Sequence, residues 1–445
     1  MSNHPLLQNF RAGAVIGWRN GIAVTAEQFL AVAQTLANDM PAGMQCMNLC
    51  KDRLNFALGL AAALIKGNAT LLPPNHVTAV LREIAANFGP VCCLSDQCLP
   101  PFGCKDFDLT HWPSAALVAP SPLIADAQVA VIAFTSGTTG KPLPHRRNWR
   151  SYVQGAKGLR ARLPIQPGAV LMGTVPPQHM WGLEASIMLA FQSGCAIHSG
   201  SPLLPAEICA LLQQTPGERW LVTTPVHLRA LVLSGEPLPR LAGVLAATAP
   251  LDAAIARALE TKIGNAVFEI YGTTETGAIA TRTTASTSQY RFLDGVHVDT
   301  VADRQQVHGG HVHEPVHLND RLLHMEGDCF DLEGRLSDMV KIGGKRASLS
   351  ALSLELAAIP GVLDGVFFVP DPQSYNARLS AFVVAPNVAD HDIIAALRKR
   401  VDPVFLPRPL IRVGQLPRNA TGKLTRDSMA DLAARAREHA IPEHS

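Results

Sequence analysis

The chain has 445 residues, 47% hydrophobic, 5% aromatic and 17% charged, with 38 Lys and Arg against 36 Asp and Glu. At about 150 residues per domain this is two or three domains around a large aliphatic core, which excludes a disordered or fibrous chain. A net charge of +2 is too balanced for a nucleic-acid binder that works by phosphate neutralisation.

The longest apolar stretch, Phe56 to Ile65, is too short to span a bilayer, so no membrane span is expected. The opening MSNHPLLQNFRAG lacks a basic segment followed by an apolar run, so a signal peptide is not expected. Nine cysteines, an odd number without toxin-like spacing, favour a reducing cytoplasmic setting.

In chain order, Ala14–Trp18 and Gly21–Val24 read as a strand pair followed by a helix. Thr25 and Gln28 form a capping-box pattern, and Leu30, Ala33 and Leu36/Ala37 give one apolar face. From residue 129 a short apolar run, a small-residue or polar loop and a helical pattern recur. Val129–Phe134 runs into TSGTTG, Val170–Val175 into PPQHMWG, Leu221–Thr224 into Pro225, Val244–Ala247 into TAPLD, and Val267–Tyr271 into GTTET. This alternation predicts parallel-rich α/β layers with ligands at the carboxyl ends of the strands. Past Arg335, strands at Gly365–Val369 and Leu379–Val384 mix with helices at Leu349–Ala358, Asp392–Val401 and Asp427–His439. That is the pattern of a separate small α+β domain, so domains at 1–336 and 337–445 are expected.

Four stretches carry chemistry. Thr135-Ser136-Gly137-Thr138-Thr139-Gly140-Lys141-Pro142 offers hydroxyls and backbone N–H groups that can wrap phosphate oxygens. It is not a Walker A loop, which needs four residues between its glycines and Ser or Thr after Lys. In Tyr271-Gly272-Thr273-Thr274-Glu275, a carboxylate after a strand can hold Mg²⁺ against ATP phosphates; a capped turn explains the same residues. The block Gly334–Arg346 contains the Gly343–Gly344 pair, which lets backbone approach a ligand closely. Near the C-terminus, LPRNATGKLTR places Lys423 on a small-residue loop.

Together, in this order, these motifs resemble the adenylate-forming superfamily of acyl- and aryl-CoA synthetases, adenylation domains and luciferases. The resemblance covers most of the chain. It implies an α/β fold, a large multi-layer N-terminal domain with a small mobile α+β C-terminal lid. It implies ATP and Mg²⁺ as cofactors, a small carboxylic acid as substrate, and CoA or an acyl carrier protein as acceptor. The acid would be coupled to AMP, giving it a good leaving group, and a thiol would then displace AMP.

Carried over onto this sequence, Thr135, Ser136, Gly137, Thr138, Thr139 and Gly140 would hold the β,γ-phosphates. Thr274 would lie beside the α-phosphate and Glu275 would bind Mg²⁺. The backbone at Ala247–Pro250, including Ala249, would form the adenine platform, where Tyr271 can stack. Asp320, fifteen residues before Arg335, would hold the ribose with Arg335; Asp328 is too close to Arg335 for that role. Lys423 would be the catalytic lysine, and His179 would lie near the acyl carboxylate. Ser337 would be the hinge, and Gly343 with Gly344 would line the thiol tunnel.

One departure is Leu143, where the family usually has Lys after Pro142; Lys141, His145, Arg146 or Arg147 would then supply the charge. That departure also admits a catalytically impaired relative acting as a nucleotide- or carrier-protein-binding module. Within the superfamily, VKIGGKRASL and the short length are most similar to ligases of aryl-polyene and xanthomonadin-type pigment biosynthesis, which would imply a hydroxybenzoate-like acid. Two clusters are discounted. Cys92, Cys93, Cys98 and Cys104 lack the paired spacing of zinc sites, and the His308–His317 stretch reads as a solvated hairpin with His311 and His313 on one face.

Overall fold

Apolar runs without polar alternation belong in sheets covered on both faces, and the chain builds two of them. The computed structural model describes residues 2–19, 21–98, 105–114, 120–136, 142–302, 304–335, 338–342, 345–370, 379–419, 422–424 and 426–438. The first sheet has six strands in the spatial order Pro142–Asn148, Val129–Ser136, Thr70–Leu72, Gln45–Asn48, Val91–Ser95 and Lys105–Asp108. All its pairs are parallel except Pro142–Asn148 against Val129–Ser136.

The second sheet has eleven strands. Its centre is parallel, running Ala196–Ile197, Val170–Gly173, Arg219–Thr223, Gly243–Ala246 and Val267–Thr273. Beyond Val267–Thr273 it turns antiparallel through Gly277–Thr283, Tyr290–Phe292, Cys329–Arg335 and Asp320–Glu326. The carboxyl ends of the parallel strands therefore open beside the antiparallel extension, where ligands of such sheets bind.

Helices Ala26–Asp39 and Arg53–Lys66 share the main core with both sheets. The Thr25 side chain accepts from the Gln28 N–H and the Gln28 side chain accepts from the Thr25 N–H, so the capping box forms. Arg53–Lys66 contains the apolar Phe56–Ile65 stretch, is buried for most of its length, and stops at Gly67, whose φ of 86° suits a residue without Cβ. Among the described residues, no helix is long and apolar enough to cross a membrane.

The C-terminal part is a smaller unit with its own core of Leu352, Leu356, Phe367, Val383, Ile393 and Leu397. It contains the hairpin Met339–Ile342/Lys345–Ser348, helices Leu349–Ala357, Asp390–Arg398 and Arg426–Glu438, and a sheet of Asp364–Phe368, Ser380–Val384 and Leu410–Arg412. The chain thus has a mixed α/β fold, with a large N-terminal domain and a smaller C-terminal one.

One expectation changes with the structure. His311 is not on the solvated face with His313: it precedes strand Val312–His317, is 4% exposed, and has Nε2 3.1 Å from the Thr276 carbonyl oxygen. Gly309 and Gly310, with φ of 81° and 55°, turn the chain inward, and the imidazole packs against the side-chain-free Gly155. Cys92 is buried with its sulfur 3.3 Å from that of Cys46, and Cys104 lies outside the described residues.

Candidate active site

The spacing argument for Asp320 has a direct structural cause. Strands Asp320–Glu326 and Cys329–Arg335 form a hairpin in which Asp320 and Arg335 are cross-strand partners. Arg335 Nε stands 3.8 Å from Asp320 Oδ1, and the Tyr271 hydroxyl donates to Asp320 Oδ2 at 3.0 Å. The Tyr271 ring is 7% exposed and packs on Tyr290 and Phe330. Sequence reading has this ring stack at the Ala247–Pro250 adenine platform; the structure shows it buried, with its hydroxyl on the Asp320 carboxylate. Asp328 sits at the hairpin tip, away from Arg335, and pairs with Arg291.

Glu275 rides on a tight turn between antiparallel strands. Thr273 and Thr276 each accept the other's backbone N–H with their hydroxyls, at 3.2 and 3.1 Å. Thr274 and Glu275 are half-buried at its apex. Beneath the turn is a buried ion pair, Arg147 with Glu184, and Glu184 Oε2 also accepts the Ala278 N–H at 2.9 Å. Gly277, at φ 71°, has no room for a Cβ because that pair lies directly under it. Glu184 belongs to a π-helical segment, Leu183–Met188, a geometry frequent at functional sites. None of Arg147, Glu184 or His311 is assigned this role by sequence reading, since no local motif links them.

The phosphate loop enters and leaves through one hairpin. Ser136 pairs with Pro142 and Thr135 with Leu143, so Thr135 and Ser136 close it; Gly137, Thr138, Thr139, Gly140 and Lys141 lie outside the described residues. On Pro142–Asn148, residues 143, 145 and 147 share one face by strand alternation. Leu143 is 51% exposed there. His145 Nε2 is 3.8 Å from Glu275 Oε1, which sets the hairpin beside the proposed metal carboxylate. Arg147 is the correction: it is buried in its pair with Glu184 and cannot serve phosphate. Arg146 faces the other way, over a surface cleft lined by Gln45, Asn87 and Phe88.

The remaining walls come from the strand ends. After Gly243–Ala246 the Ala247–Pro250 turn contains half-buried Ala249 and Thr248, whose φ of 86° is unusual for a β-branched residue. Glu269, fully buried, anchors this turn by accepting the Leu251 N–H at 3.0 Å while held by Arg282 and Thr284. After Val170–Gly173, Arg53 fastens the chain by donating to the carbonyls of Gly173 and Val175, at 2.9 and 2.7 Å. That loop presents His179. Burial pushes the His179 imidazole down to about 4, and Lys423 adds to the shift, so the ring is neutral near pH 7.

Lys423 arrives from the smaller domain. Asn419 and Lys423 exchange two hydrogen bonds, one through backbone and one through the Asn419 side chain, each 2.9 Å. Although Lys423 is exposed by surface area, its ammonium stands among protein groups that perturb it. Desolvation lowers its pKa first and Arg335 further, while Asp320 and Glu275 raise it. Ser337, Gly343 and Gly344 lie outside the described residues.

Among the described residues no group of three or more His, Cys, Asp or Glu can hold a metal. The one carboxylate of Glu275, 35% exposed beside the phosphate hairpin, nevertheless fits Mg²⁺, which takes one or two carboxylates and completes its shell with phosphates and water.

The sequence profile of the AMP-binding enzyme family, described as AMP-binding enzyme, matches residues 61–306. The 4-coumarate–CoA ligase of Halorhodospira halophila is 30% identical over 311 residues, 68% of this chain and 77% of that protein. The Bacillus subtilis o-succinylbenzoate CoA synthetase (MenE) in complex with the acyl-adenylate OSB-AMP superposes with a TM-score of 0.82 at 16% identity, covering 96% of this chain and 98% of that one. ATP-bound MatB from Rhodopseudomonas palustris gives 0.79 at 18% identity, covering 96% of each chain. At such identities the two structures speak for the fold.

Proposed function

The chain belongs to the AMP-binding enzyme family, and from that premise we propose that it is an ATP-dependent acid–CoA ligase working through an acyl-adenylate. The observation that carries the reading is the Asp320–Arg335 cross-strand pair held by Tyr271, with Lys423 of the smaller domain near enough that Arg335, Asp320 and Glu275 all act on its ammonium. A surface loop lysine has no reason to sit there. Two anionic reactants, a carboxylate and a triphosphate, give it one.

In this reading a carboxylate oxygen of the acid attacks the α-phosphorus of ATP, the bond to the β-phosphate oxygen breaks, and pyrophosphate leaves. A thiol then loses its proton, its sulfur attacks the acyl carbon, and AMP departs. Asp320 and Arg335 hold the ribose hydroxyls, with Tyr271 orienting Asp320. The Ala247–Pro250 turn, with Ala249, flanks the adenine. Thr135, Ser136 and the loop that follows hold the β,γ-phosphates, and Thr274 lies beside the α-phosphate. Glu275 holds Mg²⁺, which when bound neutralises phosphate charge. Lys423 stabilises the charge that accumulates as acid and α-phosphate meet. Neutral His179 shapes the acid end of the cleft without adding a charge.

The finer reading takes an aryl acid of the hydroxybenzoate class, supported by the 4-coumarate–CoA ligase relative and by the pigment-ligase resemblance of VKIGGKRASL. CoA is the acceptor favoured by the relatives, and an acyl carrier protein phosphopantetheine arm offers the same thiol. The division at 1–336 and 337–445, the Ser337 hinge and the Gly343–Gly344 thiol tunnel complete the proposal. An impaired relative is disfavoured by His145, which offers a basic side chain beside Glu275 on the face where Leu143 offers none. The test is an ATP–pyrophosphate exchange screen over aryl and fatty acids. Acid-dependent exchange with an aryl acid is expected, and exchange with no acid would overturn the reading.

A further inference from the structure

We propose that Arg229 is a positioning residue that seats the C-terminal domain in the posture presenting Lys423, an inference that rests on the adenylate-forming reading above. Arg229 lies on helix Pro225–Ser234 of the large domain. Its Nε donates to the Leu363 carbonyl at 2.8 Å and its Nη2 to the Val362 carbonyl. Those carbonyls belong to firm backbone, because the Leu363 N–H bonds Val384 O at 2.8 Å and the Val362 N–H bonds Ile359 O at 3.1 Å.

The contact continues toward the lysine without a break. Asp364, the next residue, accepts both Nε and Nη2 of Arg418, each at 2.8 Å. The remaining Nη1 of Arg418 donates to the Gly422 carbonyl at 2.8 Å, one residue before Lys423. The same helix meets that loop directly: a Cβ placed on Gly422 would stand 3.2 Å from Val226 Cγ2 and 3.4 Å from Thr224 Oγ1. Val226 and Arg229 are three apart and so share one helix face. Two points on one rigid helix thus fix the position and the rotation of the lysine loop.

The residue type matters. A planar guanidinium donates to two successive carbonyls from one fixed fork, whereas an ammonium on a flexible stem holds neither direction. The second half-reaction needs the thiol rather than Lys423 at the acyl-adenylate, so it has no use for this seating.

The test compares full-length wild type with Arg229→Leu and Arg229→Lys. In acid-dependent pyrophosphate exchange, Arg229→Leu should lose at least about tenfold in kcat, because small misplacements of a reacting group cost that much or more. KM for ATP and acid should stay within about twofold, and Arg229→Lys should fall between. Thioester formation from synthetic acyl-adenylate and CoA should remain within about twofold of wild type, which a merely structural defect would not spare. Amide hydrogen exchange should speed up at Val362–Asp364 and Arg418–Asn419 in Arg229→Leu. Equal loss in both half-reactions, or wild-type exchange protection in Arg229→Leu, would overturn the proposal. Should wild type itself show no pyrophosphate exchange, the adenylate reading fails, and the hydrogen-exchange comparison still decides the seating on its own.

Discussion

Asp320 and Arg335 face each other across the first pair of a β-hairpin, and Tyr271 donates its hydroxyl to the same Asp320 carboxylate. Asp320→Ala should therefore weaken binding of a non-hydrolysable ATP analogue by about 10- to 100-fold, the cost of a lost charged hydrogen-bond acceptor of about 1.5–3 kcal/mol. Asp328→Ala should leave that affinity nearly unchanged, since Asp328 pairs at the hairpin tip with Arg291 and Arg162 rather than with Arg335. Calorimetric titration of both variants checks the pair; equal losses would contradict the ribose assignment.

Lys423→Ala should depress acid-dependent pyrophosphate exchange by about 100-fold or more, as removal of a preorganised charge does elsewhere. Thioester formation from preformed acyl-adenylate should persist. Parallel loss of both activities, read by product chromatography, would contradict the assignment of Lys423 to the first step alone.

The buried pair under the Glu275 turn gives a stability prediction. Glu184→Ala strands Arg147 as an uncompensated buried charge and removes the acceptor for the Ala278 N–H, which should cost about 3–5 kcal/mol in urea unfolding. Arg147→Met with Glu184→Leu should recover much of that loss, because two apolar side chains leave no charge to desolvate. A double variant less stable than Glu184→Ala would show that the pair is needed for more than mutual neutralisation.

Burial pushes the His311 imidazole down to about 4, with Arg147 adding to the shift. Unfolded, the same group titrates near 6.5. Between those values the unfolded chain takes a proton that the folded chain refuses, so stability falls as the pH drops from about 6.5 to about 4 and is level above. At about 1.4 kcal/mol per pH unit, His311 contributes up to roughly 3 kcal/mol of that fall. His311→Gln should flatten the acid limb of stability against pH, leaving the part due to His179, His76, His198 and His227, which burial also pushes down. An acid limb of unchanged slope would contradict the assignment.

Much of this architecture is legible locally. The Thr25 capping box, the apolar runs that became parallel strands, and the hairpin arithmetic relating Asp320 to Arg335 all depend on neighbours in sequence or on a single turn. What escaped depends on distant partners. Arg147 reads as one of several basic residues after the phosphate loop until Glu184, thirty-seven residues on, buries it. His311 reads as solvated because nothing near it in sequence announces its packing against Gly155. Glu269 and Arg53 are polar residues inside apolar surroundings, and only the tertiary fold shows which turns they fasten. Arg229 is similarly opaque: its partners are backbone carbonyls, which carry no residue signature.

The most direct test of the central claim follows oxygen. A carboxylic acid labelled with ¹⁸O in its carboxylate is turned over with ATP and CoA, and the nucleotide product is read by mass spectrometry. An acyl-adenylate route forms a bond between the acid oxygen and the α-phosphorus, then cleaves on the acyl side, so one ¹⁸O must appear in AMP with pyrophosphate unlabelled. Label in inorganic phosphate with ADP as the nucleotide product, or a thioester formed with unlabelled AMP, would contradict the account.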